Sequence, residues 1–236
     1  FSVQRVASMN IPGLVTIKPN QEQLLRDVAV MMGTSFLEEN WFITWLSALD
    51  ALETTKQRKE ELMHAVFLDD LEVHAPFEGV YALPDLTAAT GAYRFSELKG
   101  TTHSELEEQT GKHLTEVATE EELKLLDEQA CKMEPISQFD WARHLEKGSD
   151  HIYFYAWAVD PSARGTGALR KLLDPLFTFA DDHGLNCYLE CYADRLQHMY
   201  EHLGFELIDE LYAPGFESIR TSDGKTCTHS LGSIAE

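Results

Sequence analysis

Basic residues are scarce in this chain. Lys and Arg number 19 against 40 Asp and Glu, a formal net charge of −21 over 236 residues. Such a surface repels a phosphate backbone, so nucleic acid is not an expected partner, whereas cationic amines would be drawn to it. Acidic clusters at 105–108 and 120–122 read first as solvated helix faces. Cysteine is also sparse: Cys131, Cys187, Cys191 and Cys227 form no CxxC pair and no zinc spacing. On a strand, Cys187 and Cys191 would share a face about 13 Å apart, too far for a disulfide. Reduced thiols in a cytoplasmic protein are the expectation. No run approaches the roughly 20 apolar residues that span a bilayer, and no signal peptide is evident, so no membrane partner is expected. The first residue, Phe1, reads as a trimmed start. His198 and His202 lie four apart, but HExxH order and a third ligand are lacking, which argues against a metal.

The composition is that of a globular protein, with 44% hydrophobic and 25% charged residues. Without repeat or low-complexity linker, residues 1–236 read as one domain. A short strand at 14–18 should precede a helix carrying Leu24, Leu25, Val28, Met31 and Met32, with Gly33 as its stop. An aromatic stripe from Phe36 to Leu49 and an amphipathic helix over 55–71 follow. Residues 79–83 and 87–95 flank Pro84-Asp85 and read as a hairpin. Residues 101–148 are acidic and helical, too long for a plain connection. They read as a helical insertion, a candidate lid. Strands are expected at 151–159, 185–192, 205–212 and 226–231, with a short helix over 195–203. The pattern amounts to a mixed α/β fold: a mainly antiparallel sheet of six or seven strands flanked by helices, with one strand-helix-strand crossover.

The most informative stretch is 156–173, AWAVDPSARGTGALRKLL. An apolar strand ends at Asp160-Pro161, because proline withdraws a ladder donor. Then come Arg164-Gly165-Thr166-Gly167 and a helix whose Leu169, Leu172, Leu173, Leu176, Phe177 and Ala180 keep one apolar stripe. Glycines let backbone N–H groups and the positive end of the helix dipole approach a ligand, an arrangement that favours an anion. Arg164, Arg170 and Lys171 crowd the turn and the helix start, where the dipole disfavours cations. A bound polyphosphate would offset that cost.

Val159-Asp160-Pro161 followed by Arg164-Gly165-Thr166-Gly167 resembles the acetyl-CoA motif of the GNAT superfamily of N-acetyltransferases. Arg164 and Gly167 match the pattern, and Leu169 departs from its final small position. Tyr200-Glu201-His202-Leu203-Gly204-Phe205 resembles the family's second hallmark, a tyrosine followed by Gly-Phe. The two motifs cover about 152–209. The resemblance implies acetyl-CoA as co-substrate, with its phosphates on Arg164, Gly165, Thr166, Gly167, Ala168, Leu169 and Arg170. It further implies pantetheine bonding along Trp157, Ala158 and Val159, where the strand splays from its neighbour, and Tyr200 as the acid for the leaving thiolate.

Acetyl transfer also needs a base. Residues 151–159 hold no carboxylate, so Glu190 on the next strand is the candidate, with water or a His as alternatives. The implied acceptor is a primary amine of a small molecule or peptide. Its identity and the oligomeric state stay open, a homodimer included. A dinucleotide site is a weak reading, since Gly165-x-Gly167-x-x-Arg170 lacks a third glycine. Leu169, and Leu196 where a related pattern often has Asn, leave a non-catalytic acyl-CoA sensor or scaffold of the same fold as the second reading.

Overall fold

The structure is a computed structural model, and it describes residues 9–98, 105–106, 108–137, 150–210 and 225–230. The expectations for 99–104, 138–149 and 211–224 lie outside the described residues. Seven strands share one sheet: β1 (Val15–Thr16), β2 (Val80–Ala82), β3 (Ala88–Arg94), β4 (His151–Val159), β5 (Asn186–Cys191), β6 (Glu206–Glu210) and β7 (Lys225–Ser230), in the order β1-β2-β3-β4-β5-β7-β6. The pair β4–β5 is parallel and the other five are antiparallel, as hairpin-rich sequence with one crossover requires.

Helices cover both faces. On one side α1 (Glu22–Phe36) and α3 (Lys56–His74), with α2 (Asn40–Leu46) between them in sequence, pack on Val80, Ala82, Ala89, Ala156 and Ala158. On the other, α6 (Ala168–His183) buries Leu172, Leu173, Leu176 and Ala180 against Tyr81, Ala88, Ala92, Ile152 and Phe154.

One residue decides which β4 side chains face which layer. In the β3–β4 ladder Gly91 pairs with Ala156 and Ala92 with Phe154, so Tyr155 is an extra residue, a bulge. Before it, Ile152 and Phe154 face α6; after it, Trp157 and Val159 do, and Ala156 and Ala158 turn to α1 and α3. The alternation changes phase at Tyr155. Its ring lies over Gly91, where an added Cβ would come within 1.3 Å of Tyr155 Cε1, and it stacks on His74 with centroids 4.2 Å apart.

Gly33 is not the stop expected for α1, which runs on to Phe36. The glycine is a crossing point instead. A Cβ there would lie 2.9 Å from the His64 backbone nitrogen and the Met63 carbonyl carbon, so only glycine lets α1 come this close to α3.

The insertion contains α4 (Lys112–Val117) and α5 (Glu120–Ser137) and is fastened to the α1–α3 side. Gly111 offers α4 no side-chain cap, and the buried Asp69 of α3 accepts from the His113 and Leu114 amides at 2.9 and 3.0 Å. Arg58 of α3 donates twice to Glu122, at 2.9 and 2.8 Å, and once to the Val117 carbonyl. Thr119 and Glu122 cap each other's amides reciprocally. The Trp45 indole donates to Leu126 O, and Gln129 reaches Thr44 O, tying α5 to α2.

Candidate active site

β4 and β5 pair only through His151–Phe154 and Asn186–Leu189, although both strands continue. They part at the Tyr155 bulge. From there to Val159 the side of β4 that faced β5 carries no ladder, while β3 still pairs with β4 to its end through Ala88 and Val159. The sequence-assigned segment Trp157, Ala158, Val159 therefore borders a wedge-shaped gap between two parallel strands.

The chain leaves the gap through a tight connection. Asp160 accepts from the Ser162 amide at 2.8 Å, and Pro161–Ala163 forms a single 3-10 turn. Gly165 and Gly167 then adopt φ of +78° and +84°, conformations that cost other L-residues about 1–2 kcal/mol each. Both are exposed, and a Cβ on either would meet nothing within 4 Å. They are required by backbone shape, not by crowding inside the protein. Gly167 is the N-cap of α6 and supplies no side-chain acceptor, and Ala168 is buried beneath. Arg170 and Lys171 are exposed beside this helix start. Arg164 is engaged elsewhere: it donates to Glu38 at 2.6 Å and to Ser35 O at 3.3 Å, and it holds the Glu38 carboxyl below the usual range. Leu169, the departure from the motif, is partly buried in the seam between α6 and α7 (Asp194–His202), beside a groove of about 200 Å³ lined also by Leu173, Met199 and Leu203.

Tyr200, on α7, is 7% exposed, and its ring stands edge-on to Trp157 with centroids 4.9 Å apart. Gly204 at φ +96° turns the chain so that the Phe205 amide donates to Tyr200 O, and Phe205 packs on the same ring. The tyrosine and Gly-Phe are thus one unit, seated under the gap-lining part of β4. Trp157 Nε1 is buried there without a hydrogen-bond partner.

Glu190 is on the opposite sheet face from Tyr200. Cys187, Leu189 and Cys191 of β5 point into the α6 core, so Glu190 points away from it and accepts from the Tyr192 hydroxyl at 3.2 Å. Cys131, Cys187 and Cys191 are free thiols. Among the described residues, no group of three or more His, Cys, Asp or Glu could hold a metal.

The segment from Ser35 to Trp41 entered the sequence reading only as the start of an aromatic stripe, with no site residue named in it. Ser35 Oγ donates to Val159 O at 3.1 Å, and Asn40 Nδ2 donates to Tyr192 O at 3.3 Å. It bridges the ends of β4 and β5, across the mouth of the gap. Glu39 caps α2 by accepting from the Trp41 amide at 2.8 Å, its Oε1 is buried without a partner, and burial raises its carboxyl to about 7. An acidic residue just before an aromatic helix was a readable capping signal; the ties of Ser35 and Asn40 to the strand ends were not.

Residues 135–205 match the model of the acetyltransferase (GNAT) family. A Schizosaccharomyces pombe protein named as an uncharacterized N-acetyltransferase is 34% identical over 79 residues, which are 33% of this chain and 32% of the relative. The match thus spans about a third of that relative's length. The fold is similar to that of the histone acetyltransferase HPA2 and related acetyltransferase from Corynebacterium glutamicum, with a TM-score of 0.52, 16% identity, and coverage of 94% of this chain and 98% of that one. It also resembles the polyamine N-acetyltransferase of Drosophila melanogaster, with a TM-score of 0.50, 16% identity, and coverage of 92% and 99%. The motif-bearing turn and the buried tyrosine lie within residues 135–205, the part of the chain that is similar to the acetyltransferase (GNAT) family, and the fold around them is similar to that of solved acetyltransferases.

Proposed function

We propose that residues 1–236 act as one domain that transfers an acetyl group from acetyl-CoA to a primary amine of a small molecule or peptide. The observation that carries this reading is the uncapped start of α6 behind two left-handed glycines, opening beside the unpaired edge of β4. Acetyl-CoA would bring the acetyl thioester. The amides around Gly165, Thr166, Gly167, Ala168, Leu169 and Arg170 suit its phosphates, since the first N–H groups of a helix lack partners and favour anions. The free edge along Trp157, Ala158 and Val159 suits the amides of its pantetheine arm. Tyr200, under Trp157, is placed to give a proton to the departing sulfur. The net charge of −21 favours approach of a cationic amine.

Gly167→Val tests the donor side. A Cβ there meets no protein atom within 4 Å, so the fold should survive with about 1–2 kcal/mol of backbone cost, while CoA affinity measured by calorimetry falls at least about tenfold. Unchanged affinity would make the turn a connection only. Turnover of acetyl-CoA against a panel of monoamines, diamines, amino acids and peptide amino termini tests the acceptor side. Tight CoA binding without transfer to any of them would favour the sensor reading.

A further inference from the structure

We infer that Arg164, the first residue of the glycine motif, is a positioning residue for the amine half of the site: its guanidinium braces the α1–α2 turn against the end of β4 and is not a ligand of the CoA phosphates. The inference rests on the acetyltransferase reading above and divides the motif between the two substrates. The resemblance groups Arg164 with residues 165–170 on the phosphates. The structure instead gives its side chain two acceptors on the α1–α2 turn, Glu38 Oε2 at 2.6 Å and Ser35 O at 3.3 Å.

The ends of that turn are tied down independently. Thr34 Oγ1 donates to Glu60 of α3 at 2.8 Å, Ser35 Oγ donates to Val159 O at 3.1 Å, and Asn40 Nδ2 donates to Tyr192 O at 3.3 Å. Glu38 is exposed between these ties and pairs with Arg164. A guanidinium is a planar fork, and here it takes a carboxylate from the middle of the turn and a carbonyl from its foot. The middle of the turn is thereby fixed relative to Ser35, and through Ser35 relative to the last carbonyl of β4.

The turn belongs to the amine side. The start of α6 and Tyr200 lie with the α6 layer, so the donor is placed on that face of the sheet. An amine reaching the thioester carbon from the opposite face passes the turn that is tied to both β4 and β5. The phosphates have other partners: the uncapped amides of α6, with Arg170 and Lys171 exposed beside them. An exposed ion pair contributes little to stability, so this one is not what holds the fold. Lys56 and Arg195 also act on the Glu38 charge, so loss of Arg164 does not strand the carboxylate.

The test compares wild type, Arg164→Lys, Arg164→Gln, Glu38→Gln and the variant combining Arg164→Gln with Glu38→Gln, using acetyl-CoA and whichever panel amine the wild type acetylates fastest. Thermal melting and CoA affinity by calorimetry should match wild type in all of them. The amine KM should rise about fivefold in each Gln variant, with kcat within about twofold, because a displaced wall weakens ground-state and transition-state binding alike. The double variant should be no worse than either single one, since both remove the same brace. Arg164→Lys keeps a charge for Glu38 and gives up Ser35 O, and its amine KM should fall between wild type and Arg164→Gln. Additive effects in the double variant would make Glu38 act on the amine directly and overturn the brace. So would an unchanged amine KM in Arg164→Gln; if CoA affinity also fell about tenfold, Arg164 would return to the phosphates with acetyl transfer intact. No transfer by wild type to any panel amine would overturn both readings.

Discussion

The two faces of the sheet are held by different means. On the α6 face the contacts are apolar and periodic: Leu172, Leu173, Leu176 and Ala180 seat the helix, and the polar rim at Gly165–Gly167 is left open. On the α1–α3 face, apolar packing is cross-tied by polar side chains: Asp69 to α4, Arg58 to Glu122, Trp45 to α5, and Ser35 to β4 itself. On the proposed acetyltransferase reading, the open rim suits a nucleotide-bearing co-substrate and the tied wall a particular acceptor. The ties supply the shape.

Four substitutions would break or sharpen that contrast. The largest effect is expected at Gly91→Val, on the tied face. Its side chain would occupy the space of the Tyr155 ring, so stability in urea should fall by about 3 kcal/mol or more, with the bulge and the gap disturbed together. An unmoved midpoint would mean that the ring does not define this face. Next is Tyr200→Phe, on the apolar face. Ring packing is retained and one hydroxyl lost, so melting should be unaffected while single-turnover transfer slows about a hundredfold. Equal rates would reduce Tyr200 to packing and weaken the division of labour.

The smallest is Arg58→Met. Glu122 would lose its partner in a nearly buried position, and a loss of about 2 kcal/mol is expected, less than for a fully buried pair because Arg58 is about a quarter exposed. The same pair carries a pH signature. Arg58 lowers Glu122 to about 2 from 4.5, so its stabilisation is complete above pH 4.5 and disappears as pH falls toward 2. Glu122→Gln should therefore be less stable than wild type at neutral pH, with the difference closing by pH 2. A constant difference across that window would assign the effect to packing.

The motif-bearing half was legible because its signals are local. Pro161 ends a strand, two glycines make a turn, and leucines recur with the helical period; each follows from a few neighbouring residues. Tyr200 and Phe205 were legible for the same reason. The tied half was not. Gly33 reads locally as a stop, and only the approach of α3 makes it a crossing. Asp69 lies mid-helix, 44 residues from the amide it caps, and no periodicity announces such a partner. Thr119 and Glu122 do form a readable capping box. Glu190 falls on the expected strand, but Ser35 and Asn40, which tie the ends of β4 and β5, come from a turn 120 or more residues away in sequence, and no local pattern announces such partners.

The bulge at Tyr155 also makes β4 a strand whose parity matters. A chain with one residue inserted between Tyr155 and Ala156, the bulge being kept, would not merely be longer. It would carry Trp157 and Val159 to the α1–α3 side and turn Ala156 and Ala158 toward Tyr200, exchanging the linings of the two sheet faces while the glycine turn kept its sequence. Point substitutions along this strand can be absorbed one side chain at a time; a change of length there inverts the site as a whole.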